Sequence, residues 1–381
     1  MFSQAQISKF RELPTPFYYY DLEVLEATLK SLQQEADSYN YHIHYALKAN
    51  SNPEILKLIE SYGLGADCVS GNEISRAIAC GFPASKIAFA GVGKTDREIQ
   101  TGLEHDIFCF NCESIPEIKI MNELAAQSGR KARIALRINP NVNANTHKYI
   151  TTGLEENKFG INMWELEDVL SVLQHCKHLE LIGLHFHIGS QITDLSAYKG
   201  LCLRVNEIQN WFYEHKIIVD HINVGGGLGI DYEHHRENRI PDFKTFFAIF
   251  HDFLELRPQQ QVHFELGRSV VAQCGTLITK VLYVKNGVNT DFAIVDAGMT
   301  ELLRPALYQA VHAISNISSA SPTLKRYDVV GPICESSDCF AKALMLPETK
   351  RGDLIAIHSA GAYGEVMASQ YNLRDLVKAV Y

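Results

Sequence analysis

Eight short apolar runs, separated by amphipathic or capped segments, occupy residues 41 to 270, and this alternation limits the fold more than any other property of the chain. The runs are Tyr41–Ala46, Leu64–Val69, Ile87–Ala90, Ile107–Phe110, Ala132–Ile138, Leu179–Ile188, Ile222–Val224 and Val262–Leu266. After the first, Asn52 is placed to cap a helix whose first position is Pro53, whose apolar face is Ile55, Leu56 and Ile59, and which stops at Gly63. Trp164–Cys176 and Phe243–Leu256 carry the helical period between later runs. Eight strands alternating with helices predict a (β/α)8 TIM-like barrel. A doubly wound sheet gives a similar reading, but the strand count favours the barrel.

Beyond about residue 270 the helical period disappears, and Thr276–Val284, Phe292–Val295, Tyr327–Val330 and Leu354–His358 read as strands. A C-terminal β domain, sandwich or Greek-key-like, is therefore expected. The β-prone opening segment Pro16 to Asp21 precedes the barrel and is expected to pair with it. The domain plan is residues 1–25 with the β domain, 26–270 as barrel and 271–381 as β domain. There is no internal repeat and no low-complexity linker.

Charge narrows the partners. With 35 basic and 44 acidic residues the net charge is -9, which disfavours nucleic acid and anionic membrane surfaces. No stretch of about 18 apolar residues occurs and the N-terminus lacks a signal-peptide core, so a cytoplasmic protein is expected. Nine cysteines, an odd number without framework spacing, imply reduced thiols. Cys109 and Cys112 form one C-x-x-C, but neither a second pair nor nearby histidines complete a zinc site.

In barrels the working side chains lie at the C-terminal ends of strands. Lys48 follows the first strand in YALKAN. It is either a solvated charge or, if desolvated, an amine nucleophilic toward an aldehyde. Gly225, Gly226 and Gly227 follow the seventh strand, where a bare backbone can approach a phosphate or merely turn. The eighth strand ends in Glu265, Leu266, Gly267 and Arg268. Arg268 can fork onto phosphate oxygens, and Glu265 can keep a pyridine nitrogen protonated, or the two can form a buried ion pair. His187 and Ser190, in HFHIGSQ after the sixth strand, suit a ring face and a phosphate, with a core histidine as the alternative.

These motifs together resemble the fold-type III pyridoxal-phosphate decarboxylases, the family of ornithine, arginine and diaminopimelate decarboxylases, over nearly the whole chain. YALKAN is similar to the family's cofactor-lysine segment, ADCVSGNE to the strand and helix start containing Asp67, HIGSQ to its ring-stacking histidine and phosphate serine, and NVGGGLG and ELGRSVVA to its phosphate segments. The resemblance implies pyridoxal 5'-phosphate held as a Schiff base on Lys48, with Asp67, His187, Ser190, Gly225, Gly226, Gly227, Glu265, Gly267, Arg268 and Tyr363 around it. In the β domain RPALY, CESSD and GAYG also match. They imply that Arg268, Arg304, Tyr308, Glu335 and Tyr363 bind substrate and that Cys334 and Glu335 reach across a homodimer interface into the partner's site.

HIGSQ and CESSD look more like the diaminopimelate branch than the ornithine branch. Diaminopimelate carries a distal carboxylate and amine, and Arg304 with Glu335 matches both charges. The implied reaction is loss of CO2 from the D-configured centre of meso-2,6-diaminopimelate to give L-lysine, the last step of lysine biosynthesis. Lys48, Cys334 or a water would be the proton donor and His187 would assist. Ornithine, arginine or carboxynorspermidine are the alternative substrates. Two departures stand out: Leu266 replaces a proline common in the family's E-P-G-R, and the chain ends soon after Gln370, Tyr371 and Asn372.

Two other classes compete. His42 with His44 and His185 with His187 are H-x-H pairs such as barrel metallohydrolases use, although His42 and His44 precede their strand's C-terminal end and no clear aspartate ligand follows the eighth strand. A noncatalytic cofactor carrier would keep Lys48 but would have no reason to hold Arg304, Cys334, Glu335 and Tyr363. No metal is expected.

Overall fold

The computed structural model describes residues 2–142 and 158–381. The chain divides into two compact units, one of Thr28–Gly229 with Asp242–Val270, the other of Met1–Ala27, Ile230–Pro241 and Val271–Tyr381. The first strand, β1 (Phe17–Tyr20), belongs to the second unit.

In the first unit β2 (His42–Ala46), β3 (Gly65–Cys68), β4 (Ile87–Phe89), β5 (Cys109–Cys112), β6 (Ala132–Arg137), β7 (Leu179–His185), β8 (His221–Gly226) and β9 (Gln261–Leu266) close into a parallel barrel, with β2 pairing β9. The alternation within β9 explains why these runs fold this way. Phe264 faces out and packs on Phe246, Phe247 and Phe250 of the helix Phe243–Phe253, with ring centroids 5.6, 4.9 and 4.8 Å apart. Burying such a ring contributes about 1.5–3 kcal/mol. Its neighbours His263 and Glu265 face the interior and meet side chains of other strands.

Polar caps open the helices that follow β2 to β5. Asn52 Oδ1 accepts from Glu54 N at 3.1 Å ahead of the helix Pro53–Ser61, and Ser70, Thr95 and Ser114 cap the helices that begin at Gly71, Asp96 and Ile115. The strand-to-helix loops after these four strands therefore stay short.

Two boundaries differ from the sequence reading. β5 is shifted two residues later than the Ile107–Phe110 run, and Asn111, which lies within it, turns into the interior and donates to Glu265 at 3.2 Å. Trp164–Cys176 is a 3-10 turn, Met163–Glu165, followed by the helix Leu166–Leu173.

At the N-terminal rim the interior is filled by imidazoles. His44 Nε2 lies 2.9 Å from His263 Nδ1, and His263 Nε2 lies 2.9 Å from His221 Nδ1. His42 stacks on His263 with centroids 4.9 Å apart. Gly65 leaves the room this needs, since a Cβ there would stand 2.6 Å from His44 Nδ1.

The second unit is a mostly antiparallel β domain. β10 (Gly275–Lys285) is its spine. It pairs antiparallel with β1, with β11 (Asp291–Val295) and, past β12 (Ile314–Asn316), β13 (Leu324–Val330) and β14 (Cys339–Pro347), with β15 (Leu354–Ile357). The strands follow the hydrogen-bonded order β12-β15-β10-β11-β13-β14. β1 also pairs in parallel with β16 (Lys378–Val380), so the opening segment joins this sheet as expected. A register shift between Val281 and Tyr283 lets β10 serve both ends of the sheet. Residues 230–241, assigned from sequence to the barrel, belong to this unit: Ala313 N donates to Tyr232 O at 3.0 Å, and the Tyr232 ring lies against Arg304.

Candidate active site

The C-terminal rim of the barrel gathers the residues that the sequence reading drew from four separate strands. Lys48 sits in the 3-10 turn Leu47–Ala49 directly after β2, and its Nζ donates to Asp67 Oδ2 at 2.7 Å. Asp67 is fully buried, whereas the Lys48 side chain keeps 37% of its exposure, enough for the amine to be reached from solvent. Burial and the charge of Glu265 push the Asp67 carboxyl up to about 6 against the pull of Lys48. Glu73, whose Oε2 accepts from Val69 N at 2.7 Å, is raised by burial to about 7. Burial thus raises both carboxyls near this one amine above the ordinary carboxylate range.

Glu265 is a second buried carboxylate of the site. Its Oε1 accepts from Asn223 Nδ2 at 2.8 Å and Asn111 Nδ2 at 3.2 Å, and its Oε2 faces His185 Nε2 at 3.0 Å. Burial opposes ionisation, but His185, Lys48 and His187 outweigh it and hold the carboxyl below its usual range. Arg268 is not among the partners of Glu265. Its Nη2 instead donates to Ser190 Oγ at 3.0 Å, joining the loops after β9 and β7.

His187 is partly buried, and desolvation with the charges of Arg137 and Lys48 keeps its imidazole neutral. Nδ1 accepts from Gly226 N at 3.3 Å, so the hydrogen is on Nε2. The glycine turn uses part of its own backbone internally. Gly225 N donates to Asn223 Oδ1 at 2.9 Å and Gly226 N to His187, so two of the three are spent inside the turn. Glycine is nonetheless required, since Gly225 and Gly227 have φ of 70° and 98° and a Cβ on Gly226 would overlap the Glu265 carbonyl oxygen. Gly267 packs directly on Ala46 and Ala49, where a Cβ would stand only 3.0 Å from each methyl, so the absence of a side chain lets the Leu266–Gly267 step keep Arg268 close to the lysine turn.

Several residues here escaped the sequence reading. Asn111, His185 and Asn223 clamp Glu265. Arg137 Nη1 donates to Glu113 Oε1 at 2.9 Å with both side chains buried, and Glu113 also accepts from Gly91 N and Gly160 N. The signal that could have found them is parity: each stands two or four residues from another inward-facing polar residue near a strand end.

Pyridoxal phosphate fits this donor set. The rim offers an amine beside a carboxylate, a neutral imidazole, a guanidinium–hydroxyl pair next to a glycine turn, and an ionised carboxylate at depth. Asp67 Oδ1 is buried without a hydrogen-bond partner among the described residues, an acceptor that a bound donor would complete. Among the same residues no group of three or more His, Cys, Asp or Glu side chains is arranged to hold a metal ion. His42 and His44 lie at the opposite rim, bonded into the imidazole cluster. Cys109 and Cys112, three apart on β5, point to opposite faces and cannot bridge, and burial pushes the Cys109 thiol up to about 12.

The second unit holds the remaining predicted residues. Arg304 is buried at the start of the helix Arg304–Tyr308, and Tyr308 is partly exposed at its end. Cys334 and Glu335 are exposed, Glu335 accepting from Tyr371 OH at 2.8 Å. Their loop is pinned by Asp338, whose carboxylate accepts from Met299 N at 2.6 Å and Ile333 N at 2.7 Å. Tyr363 adopts a left-handed φ of 56°, strain of the kind that collects at working sites.

Comparison with known proteins agrees with this arrangement. A family model described as pyridoxal-dependent decarboxylase, pyridoxal binding domain, matches residues 22–272. The chain is 60% identical over 373 residues to a diaminopimelate decarboxylase of Bacteroides thetaiotaomicron, covering 98% of this chain and 96% of that one. It is 43% identical over 375 residues to a diaminopimelate decarboxylase of Helicobacter pylori, covering 98% and 91%. Among solved structures, the Helicobacter pylori diaminopimelate decarboxylase complexed with L-lysine matches with a TM-score of 0.92 at 41% identity, covering 99% of this chain and 94% of that one.

Proposed function

Starting from the fact that the chain belongs to the pyridoxal-dependent decarboxylases and, within them, to the diaminopimelate decarboxylases, we propose that it removes CO2 from the D-configured centre of meso-2,6-diaminopimelate to release L-lysine. It is a carboxy-lyase, its cofactor is pyridoxal 5'-phosphate, and the reaction is the last step of lysine biosynthesis. The observation that carries the reading is the ionised, buried Glu265, clamped by three side chains inside the barrel below the strand end where Lys48 stands.

Bound pyridoxal phosphate supplies an electron sink for the pair left behind when CO2 departs. The chain's own groups do the rest. Lys48 Nζ would hold the cofactor, and Asp67 Oδ2 at 2.7 Å is placed to take the ammonium proton as the amine becomes nucleophilic. Glu265 would keep a ring nitrogen protonated, and its three donors fix where that negative charge lies. Neutral His187 would lie against the ring without adding charge. Arg268 and Ser190 would hold the phosphate with the backbone of the loop that carries Gly225, Gly226 and Gly227. Gly267 lets Arg268 approach.

For the substrate's distal end, Arg304 would fork onto the carboxylate, with Tyr308 beside it, while Glu335 would meet the distal ammonium. Tyr363 would reach the cofactor phosphate. Exposure of Cys334 and Glu335 on a loop pinned by Asp338 supports a homodimer in which these two side chains enter the partner's site. Lys48, Cys334 or a water would reprotonate Cα. A cytoplasmic location fits nine free thiols and the absence, among the described residues, of a helix long and apolar enough to cross a membrane.

The test is CO2 release by the cofactor-loaded protein with meso-diaminopimelate, ornithine, arginine and carboxynorspermidine side by side. The reading requires diaminopimelate to give the largest kcat/KM by at least about tenfold, the scale of one lost charged hydrogen bond. A larger value for any of the others overturns it.

A further inference from the structure

We propose that His312 is a positioning residue that sets the angle of the Arg304 guanidinium and thereby the selectivity for a substrate with a distal carboxylate. This rests on the reading of Arg304 given above. Arg304 Nη1 lies 2.7 Å from His312 Nε2, and His312 Nδ1 lies 2.8 Å from the carbonyl oxygen of His358. A guanidinium only donates and a carbonyl only accepts, so Nε2 must present a lone pair and Nδ1 must carry the hydrogen. Both neighbours therefore select a single neutral tautomer, and the imidazole has no second way to sit without losing a buried bond.

The face of the guanidinium is fixed as well. Its central carbon lies 4.4 Å from the centroid of the Tyr232 ring, and that ring packs edge-on against His312 with centroids 4.9 Å apart and planes at 70°. Tyr232 is itself tied down by the bond from Ala313 N to its carbonyl oxygen. Arg304 is only 5% exposed and His312 4%, so water cannot substitute for either contact. One bond in the guanidinium plane and one ring against its face leave the fork little rotational freedom. A carboxylate bound through two parallel N–H groups is sensitive to that angle, whereas an amine-only ligand is indifferent to it.

The experiment uses the full chain loaded with cofactor and compares inhibition by L-lysine, which keeps the distal carboxylate of the substrate, with inhibition by 1,5-diaminopentane, which has none. His312→Asn keeps a donor toward the His358 carbonyl but removes the acceptor for Arg304, and His312→Gln returns an acceptor near the Nε2 position. His312→Asn is expected to weaken L-lysine on the order of tenfold and to raise KM for diaminopimelate similarly, with kcat, diaminopentane inhibition and the cofactor spectrum changed by less than about twofold. His312→Gln should recover most of the loss. If His312→Asn does not bind cofactor, Tyr232→Leu carries the same comparison by freeing the other side of the fork. Arg304→Ala separates the two readings. If it weakens L-lysine while the His312 and Tyr232 variants do not, the positioning role is wrong. If Arg304→Ala leaves L-lysine unaffected, the reading of Arg304 is wrong and the role of His312 falls with it. Equal weakening of L-lysine and diaminopentane by His312→Asn also overturns the proposal, because it would mark general structural damage.

Discussion

Replacing Glu265 with Gln removes one buried charge while changing almost no volume. Both asparagine amides donate to Oε1, so the new amide oxygen keeps that side and its NH2 turns toward His185 Nε2. His185 can accommodate this by moving its hydrogen to Nδ1, which has no hydrogen-bond partner among the described residues. The fold should survive, and Lys48, Ser190 and Arg268 should still retain the cofactor. The lost term is the attraction between the carboxylate and a protonated ring nitrogen. At about 4 Å and an effective dielectric of roughly 20 it is about 4 kcal/mol, and a charged hydrogen bond alone is worth about 1.5–3 kcal/mol. Since 1.36 kcal/mol is tenfold in rate, kcat should fall by about 100- to 1000-fold. Steady-state CO2 release, normalised to cofactor content by visible absorbance, measures it. A Glu265→Gln enzyme with full cofactor and kcat within about threefold of the parent would refute the assignment of Glu265 as the partner of the ring.

Three further outcomes are expected. Lys48→Ala should lose borohydride-reducible cofactor and drop turnover by several orders of magnitude, since the covalent anchor and a proton carrier vanish together; reducible cofactor in the mutant counts against Lys48. His44, held at about 4 by burial, protonates in the unfolded chain near its ordinary 6.5 before it does so in the fold. The unfolded state therefore binds more protons between those values, and stability should be full above about 6.5 and fall by about 3 kcal/mol as pH drops to about 4. Thermal melts of the parent and His44→Asn at pH 7 and 5 should show a smaller acid decrement in the variant, and equal decrements would remove His44 as the cause. Mixing Lys48→Ala with Glu335→Ala subunits under verified exchange should restore roughly a quarter of parental activity per site, because a mixed dimer has one intact site; no recovery would place both residues in one chain's site.

The barrel was legible because its outward faces, such as Val262, Phe264 and Leu266, are apolar in alternation and its helices begin at capping residues that follow the strands directly. Lys48, His187 and Arg268 were legible as polar residues just past apolar runs. Asn111 was not, because a buried asparagine looks like a breaker until its partner, Glu265, 154 residues away, is in place. The Glu113–Arg137 and Arg304–His312 contacts were equally hidden, since nothing local requires them. The glycine turn was legible as tight, but the bonds that Gly225 N and Gly226 N make to Asn223 and His187 were not, because His187 reaches the turn only once β7 and β8 are adjacent. The β unit was recognised from its β-prone runs, but such runs carry no pairing register, so the pairing of β10 with β1, β11 and β15 and the inclusion of residues 230–241 could not be foreseen.

The most direct test of the central claim supplies meso-diaminopimelate labelled with 13C in the carboxylate of its D-configured centre and follows both products. The account predicts one labelled CO2 and one unlabelled L-lysine per substrate consumed, dependent on pyridoxal phosphate. Label retained in lysine, or no CO2 released from this substrate by cofactor-loaded protein, would contradict it.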